Sequence, residues 1–217
     1  MAYVLGYFAA DGSMLRNKRE SCFIEFTSTD LILLELVQKA TGSSHKISIR
    51  KPKLNCKTAY RLQIGSKEWF KDLTDLGFTQ NKSNTLVFPN IPSEFMGPFV
   101  RGYFDGDGCA YLKKHWSSWH KKDVWVFVTR FTSGSKEFLL DLLALLKQHG
   151  LVGGHLNTKA KGGFDLVFSR RDSVALYKLM YHTAQVSALF LPRKREKIEQ
   201  AIEVLGLDKT CGRSSTG

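Results

Sequence analysis

The chain repeats itself. Residues 4–12 read VLGYFAADG and residues 100–108 read VRGYFDGDG, identical at six of nine positions and 96 residues apart. The likeness continues with drifting offset: Phe26-Thr27-Ser28 against Phe131-Thr132-Ser133, LLELV at 33–37 against LLDLL at 139–143, and YRLQIGSKEW at 60–69 against FDLVFSRRDS at 164–173. A duplicated unit of roughly a hundred residues constrains the fold strongly, because each element must be built twice and the copies must fit one another. The chain therefore divides into a first copy with its linker at 1–98, a second copy at 99–208 and a flexible tail at 209–217.

Within each copy the local signals run in the same order. The nonapeptide reads as a helix ended by Asp-Gly, glycine being the residue that most readily stops a helix in a left-handed conformation. Extended segments follow at 13–17 and CFIEFTS, then at KISIR and YRLQIG; their counterparts are YLKK, VWVFVTRFTS, HLNTKAK and FDLVFS. Apolar residues at three- and four-residue spacing predict helices over 31–40, 67–76, 136–149 and 172–181. The expected class is α+β, a pseudo-two-fold tandem of αββαββα units whose antiparallel sheets carry helices on one face.

The other face of such a sheet must meet something. Strand alternation in KISIR puts Lys46, Ser48 and Arg50 on one side and Ile47 and Ile49 on the other. Arg16, Lys18 and Arg19 at the first hairpin, Arg61 in the fourth strand, and Lys113, Lys114, Lys121 and Lys122 around the third hairpin extend this basic set. Lys159, Lys161, Arg170 and Arg171 complete it. With 32 Lys and Arg against 20 Asp and Glu the formal charge is +12, and 43% hydrophobic residues are ample for a buried core. A folded basic surface of this kind favours nucleic acid as partner.

The cysteines, Cys22, Cys56, Cys109 and Cys211, contain no C-x-x-C pair, so neither a zinc ribbon nor a disulfide framework is expected. Asp11 closes the apolar N-terminal stretch before it could serve as a signal peptide, and no apolar run approaches the roughly 20 residues of a membrane span. A soluble, intracellular protein is expected. Trp116, Trp119 and Trp125, with His115 and His120, read as hairpin and core packing rather than a metal cluster.

Packing two copies through equivalent helices brings equivalent residues together. Gly6 and Gly102, each inside an apolar helix, would let two backbones approach closely. Asp11 and Asp107 would then meet at the helix ends, where two carboxylates repel unless they share a proton or a cation. Hard oxygen ligands beside a basic surface suit Mg²⁺.

The paired nonapeptides resemble the twin signatures of the LAGLIDADG homing endonucleases, in the single-chain form that carries two motifs, and the likeness runs from about Ala2 to about Leu207. The resemblance implies a DNA-binding saddle with the motif helices at its centre. It implies cleavage of both strands of a long, non-palindromic double-stranded DNA site with short 3′ overhangs, by a monomer needing no protein partner and no membrane. Asp11 and Asp107 match the family's metal-binding catalytic acids, and the carbonyls of Ala10 and Gly106 its backbone ligands. Mg²⁺ is the implied cofactor, with Mn²⁺ able to substitute and Ca²⁺ supporting binding without cleavage. Lys82 and Lys194 match the accessory lysines, with Arg193 and Lys197 as rival counterparts of the second, and Ser28 and Ser133 align with a water-positioning residue. The first motif has Ala9 where the second keeps an earlier acid, Asp105. A silent nucleic-acid-binding module, such as an RNA splicing cofactor or a transcription regulator, is the alternative on the same fold. A self-splicing intein is weaker, because residue 1 is no nucleophile and the chain lacks a terminal His-Asn.

Overall fold

A computed structural model describes residues 1–50, 57–160, 162–182 and 189–207. The first copy comprises α1 (Ala2–Asp11), β1 (Gly12–Arg16), β2 (Cys22–Ser28), α2 (Leu31–Ala40), β3 (Ser48–Arg50), β4 (Ala59–Gly65) and α3 (Lys67–Asp75). A linker with short 3-10 turns at Lys82–Asn84 and Ser93–Phe95 leads to the second: α4 (Met96–Asp107), β5 (Gly108–Ser117), β6 (Lys122–Ser133), α5 (Lys136–Gln148), β7 (His155–Thr158), β8 (Phe164–Phe168) and α6 (Arg170–Tyr181). A further helix, α7 (Pro192–Leu205), closes the described chain. The expected αββαββα unit thus occurs twice, and the class is α+β.

Each copy forms one four-stranded antiparallel sheet, in the orders β1-β2-β4-β3 and β5-β6-β8-β7. The registers correspond: Phe26 pairs with Leu62 and Phe131 with Leu166. Alternation sends Ile24, Phe26, Leu62 and Ile64 into the helices of the first copy and Phe127, Phe131, Leu166 and Phe168 into those of the second, all buried. Even the ring geometry repeats, Phe8 meeting Phe26 edge-on at 5.7 Å and Phe104 meeting Phe131 at 5.6 Å. Serine caps start two helices: Ser66 Oγ accepts from the Trp69 N–H at 3.1 Å and Ser135 Oγ from the Phe138 N–H at 3.2 Å.

The copies join through α1 and α4. A Cβ at Gly6 would overlap the Phe99 carbonyl and come within 3.0 Å of the Tyr103 nitrogen, while one at Gly102 would overlap the Tyr3 carbonyl and come within 2.8 Å of the Tyr7 nitrogen. This reciprocity is that of a two-fold axis crossing two backbones in contact, as the glycine positions predict. Tyr3, Tyr7, Phe99 and Tyr103 pack fully buried around the crossing.

One expectation is corrected. Gly12 and Gly108 do not stop their helices in the left-handed region: their φ, ψ are −81°, 157° and −89°, 158°, so the chain passes directly from helix into strand. Glycine is required for a different reason, since a Cβ at either position would strike the ring of Phe8 or Phe104 in the helix just left.

Candidate active site

The direct helix-to-strand passage carries the two motif acids to the same end of the α1–α4 crossing. A Cβ on Gly106 would lie 3.2 Å from Asp11 Oδ2, so the ends of the two motifs touch. Burial, reinforced by the Asp107 charge, pushes the Asp11 carboxyl up to about 6, against the pull of Lys194 and Lys82. Asp107 is raised for the same first reason, burial, and is opposed by Lys82, Lys194 and Lys159.

Each acid has a buried lysine beside it. Lys82 Nζ donates to the Ala9 carbonyl at 2.7 Å and to that of Ala10 at 3.4 Å. Lys194 Nζ donates to the carbonyls of Phe104, Asp105 and Gly106 at 2.8, 2.8 and 2.9 Å. The two ammonium groups also lie over equivalent rings, Phe8 at 5.5 Å and Phe104 at 5.7 Å. Burial lowers both lysines to about 8. Among the three residues considered for the second position, Lys194 reaches the motif; Lys197 is exposed on α7, and Arg193 turns away to Asp30. The lysine stem lies on the buried stripe of α7 with Ile198, Ala201 and Ile202.

Several supporting roles escaped the sequence reading, and the supporting residue Arg101 escaped it altogether. Asp105 Oδ2 accepts from the Tyr3 hydroxyl and from the Leu191 N–H, both at 2.8 Å, and so ties α1 and α4 to the start of α7 just before Lys194. Arg101, which stands where the first motif has Leu5, is fully buried and donates to the carbonyls of Leu189 and Met180. Arg193 grips Asp30 with two bonds, 3.1 and 2.6 Å, and holds that carboxyl below the usual range. Asp30, Arg193, Ser28, Thr27, Asp11 and Gly106 are among the residues lining a cleft of about 270 Å³ at the motif ends. An arginine in one motif where the other has leucine was the available signal for Arg101; the rest depend on residues far apart in sequence.

Ser28 and Ser133 occupy equivalent places, but each Oγ accepts from a backbone N–H two residues on, Asp30 at 3.0 Å and Ser135 at 3.1 Å. Ser28 lies at the cleft and Ser133 is buried.

The helix-free faces of the sheets carry Ser48, Arg50, Arg61, Lys113, Arg130 and Lys159. Lys46 is exposed just before β3, Lys18 and Arg19 in the β1–β2 turn, and Lys121 and Lys122 at the β5–β6 tip. Four predicted residues lie on the helix side instead. Arg16 shares the side of Met14 and covers the Phe70 ring at 5.3 Å, and Lys114 covers the Trp125 ring at 5.2 Å. Arg170 and Arg171 begin α6, where the chain has left the sheet, and Arg170 donates to the Trp125 carbonyl at 2.9 Å. Lys161, like Cys56 and Cys211, lies outside the described residues.

Two acids on the open faces were also missed. Glu25 accepts from Arg50 at 2.7 Å and Gln63 at 3.3 Å, with Arg61 at 3.7 Å. Asp165 accepts from the Thr132 hydroxyl at 2.6 Å, with Arg130 at 3.7 Å and Lys159 at 3.8 Å. By register Glu25 corresponds to Arg130 and Arg61 to Asp165, so the copies carry the same ion pair with its charges exchanged. The tryptophan expectation is corrected as well: Trp119 is 88% and Trp116 67% exposed, and only Trp125 is partly covered.

The duplicated fold and the paired motif acids define one class of protein, and comparison with known proteins agrees. The family described as LAGLIDADG-like domain matches residues 1–76 and 94–180, and the chain belongs to it. The meganuclease I-SmaMI bound to uncleaveable DNA is similar in structure at 17% identity, with TM-score 0.63 and coverage of 96% of this chain and 90% of that one. The homing endonuclease I-WcaI bound to its DNA recognition sequence is similar at 14% identity, with TM-score 0.62 and coverage of 91% and 84%. I-SmaMI bound to uncleaved DNA in the presence of calcium ions is similar at 15% identity, with TM-score 0.60 and coverage of 95% and 92%. In sequence, the DNA-directed RNA polymerase subunit Rpo1C of Methanocaldococcus jannaschii is 23% identical over 213 residues, 96% of this chain; the chain spans 21% of that protein's length. No helix among the described residues is long and apolar enough to cross a membrane.

Proposed function

We propose that this chain is a site-specific, metal-dependent endonuclease of double-stranded DNA, acting as a monomer and cutting one phosphodiester on each strand of a long, non-palindromic site. The observation that carries this reading is the pair of acids, Asp11 exposed and Asp107 half-buried, at the touching ends of the motif helices, each beside a buried lysine, with an open charged sheet face in each copy. The structural neighbours that are nucleases bound to DNA support it.

The donors fit a hard divalent cation. Among the described residues no group of three or more His, Cys, Asp or Glu could hold a metal. The protein's share is therefore the Asp11 and Asp107 carboxylates with the Ala10 and Gly106 carbonyls, each of which keeps a second lone pair beside its lysine. Such a partial oxygen set suits Mg²⁺, which retains waters and takes phosphate oxygens, and Mn²⁺ would enter the same ligands. The neighbour solved with calcium supports divalent binding, and Ca²⁺ is expected to allow DNA binding without cleavage. Bound there, the cation supplies Lewis-acid activation of water and neutralises charge at the scissile phosphate.

The chain's own residues then have separate tasks. Asp11 and Asp107 hold the cation and need to be ionised. Lys82 and Lys194, fixed by the motif carbonyls, place positive charge where the phosphate gathers negative charge. Of the two equivalent serines, Ser28 at the cleft is the one placed to position a nearby water, whereas Ser133 is buried. Arg50, Arg61 and Arg130, oriented by Glu25 and Asp165, present donors for base edges in the major groove. Cuts offset across the minor groove leave short 3′ overhangs. The test is incubation of a randomised duplex pool, enriched for binding in Ca²⁺, with Mg²⁺ or with EDTA. Cutting in Mg²⁺ alone is expected, and binding that never leads to cutting in Mg²⁺ or Mn²⁺ would leave a silent binding module.

A further inference from the structure

The copies differ clearly at the outer end of one hairpin. β1 and β2 have 5 and 7 residues, whereas β5 and β6 have 10 and 12. Five more residues per strand, at about 3.4 Å each, carry the second hairpin about 17 Å farther from its sheet. The turn of the first hairpin is polar and closed on itself, Asn17 Oδ1 accepting from the N–H groups of Arg19 and Ser21 at 2.9 Å. The second differs in kind: residues 113–122 read KKHWSSWHKK, with four lysines, two histidines, two tryptophans and no carboxylate.

The root of the extension is braced by Lys114 over Trp125, by Arg170 on the Trp125 carbonyl, and by the Tyr111 and His115 rings stacked at 5.8 Å. A braced root makes the tip a fixed projection. At the tip Trp116 and Trp119 stand in solvent beside Lys121 and Lys122. Register places Lys113, His115, Ser117 and Lys122 on the side that carries Arg130, so the tip continues the open face. A protein-docking patch would be depleted of lysine. Aromatic rings interleaved with four lysines, against the single carboxylate of Asp123 opposite Trp116, are instead a composition that stacks on bases while neutralising phosphates.

We propose that the β5–β6 tip is a stacking wedge for DNA beyond the stretch covered by the sheets. Trp119 packs against the face of a base at a locally unstacked step, and Lys121 and Lys122 take the flanking phosphates. This rests on the open faces being a DNA surface. The tip thereby adds contact on one side of the site only, since the first copy lacks the extension.

The experiment uses the full chain and a duplex enriched from a randomised pool in Ca²⁺, carrying 2-aminopurine at successive flanking positions. Wild type is expected to brighten 2-aminopurine at one flank. Trp119→Ala is expected to abolish that signal and weaken binding roughly tenfold with an unchanged salt slope, because no charge is removed, while Trp119→Phe restores both. Thermal melting checks that each variant is folded, as the side chain's exposure predicts. If wild type binds and cuts DNA and Trp119→Ala matches it in affinity and 2-aminopurine signal, the wedge is wrong and the nuclease reading stands. If Trp119→Ala instead loses binding to single-stranded RNA while duplex binding is untouched, the tip serves RNA and the proposal fails. If wild type binds no duplex at all, both readings fall.

Discussion

Asp11 is held in a state that costs the folded chain energy. Its carboxyl titrates near 6 in the fold and at 3.8 when unperturbed. The folded chain therefore binds the proton more tightly, so stability falls as pH climbs between those values and the penalty is complete above about 6. Asp11→Asn should make the metal-free protein more stable at neutral pH, by no more than about 1 kcal/mol, because this carboxylate reaches solvent and its interactions are screened. In denaturant titrations with EDTA that gain should shrink as pH drops from 6 towards 4; an unchanged gain would show that ionisation is not its source. The lysines give a second prediction at this scale. If each serves one phosphate, Lys82→Met and Lys194→Met should each slow one strand's cleavage by about a hundredfold and leave nicked duplex, visible on strand-labelled denaturing gels. Equal slowing of both strands would contradict that division. Asp11 and Asp107 were legible in the sequence because duplication singles them out, and Lys82 because its loop holds one lysine. The task of Asp105 was not, since it rests on Tyr3 and Leu191, 102 and 86 residues away.

At the scale of elements, the α1–α4 crossing depends on two absent side chains. Gly102→Ala must separate backbones that touch and should cost about 3 kcal/mol, by overpacking with no room to relax. Gly65→Ala is the control: its Cβ would meet only the Phe23 ring at 3.7 Å and should cost well under about 1 kcal/mol. Chemical denaturation of both variants checks this, and equal costs would mean that the crossing is looser than it stands. The glycine positions and the succession of helices and strands along the chain followed from the repeat and from alternation. What alternation alone missed were ends and edges. Arg16 and Lys114 fall on the helix side because the pairing register, invisible locally, decides which parity faces the helices. Ile49, on the edge strand β3, stays 68% exposed although alternation gives it the parity of the core-facing residues. The Asp-Gly helix ends were located correctly, yet the role of their glycine lies in a ring four residues back rather than in a turn.

For the whole molecule, near-symmetry of fold coexists with asymmetry of charge. Residues 1–98 hold 13 basic and 9 acidic residues against 19 and 11 beyond, and Glu25–Arg61 becomes Arg130–Asp165 with its charges exchanged. An asymmetric target is the expected partner of such a surface. DNA affinity should fall steeply with salt, on the order of a thousandfold between about 50 and 200 mM; a flat response in filter binding would remove the open faces from the DNA-binding account. The central claim is that the motif acids cut what the sheets bind, and Asp107→Asn tests it most directly. On an enriched duplex in Mg²⁺, wild type should cut both strands, while Asp107→Asn binds with affinity within about threefold and cuts neither at a comparable rate. Cleavage by Asp107→Asn at the wild-type rate would contradict the account.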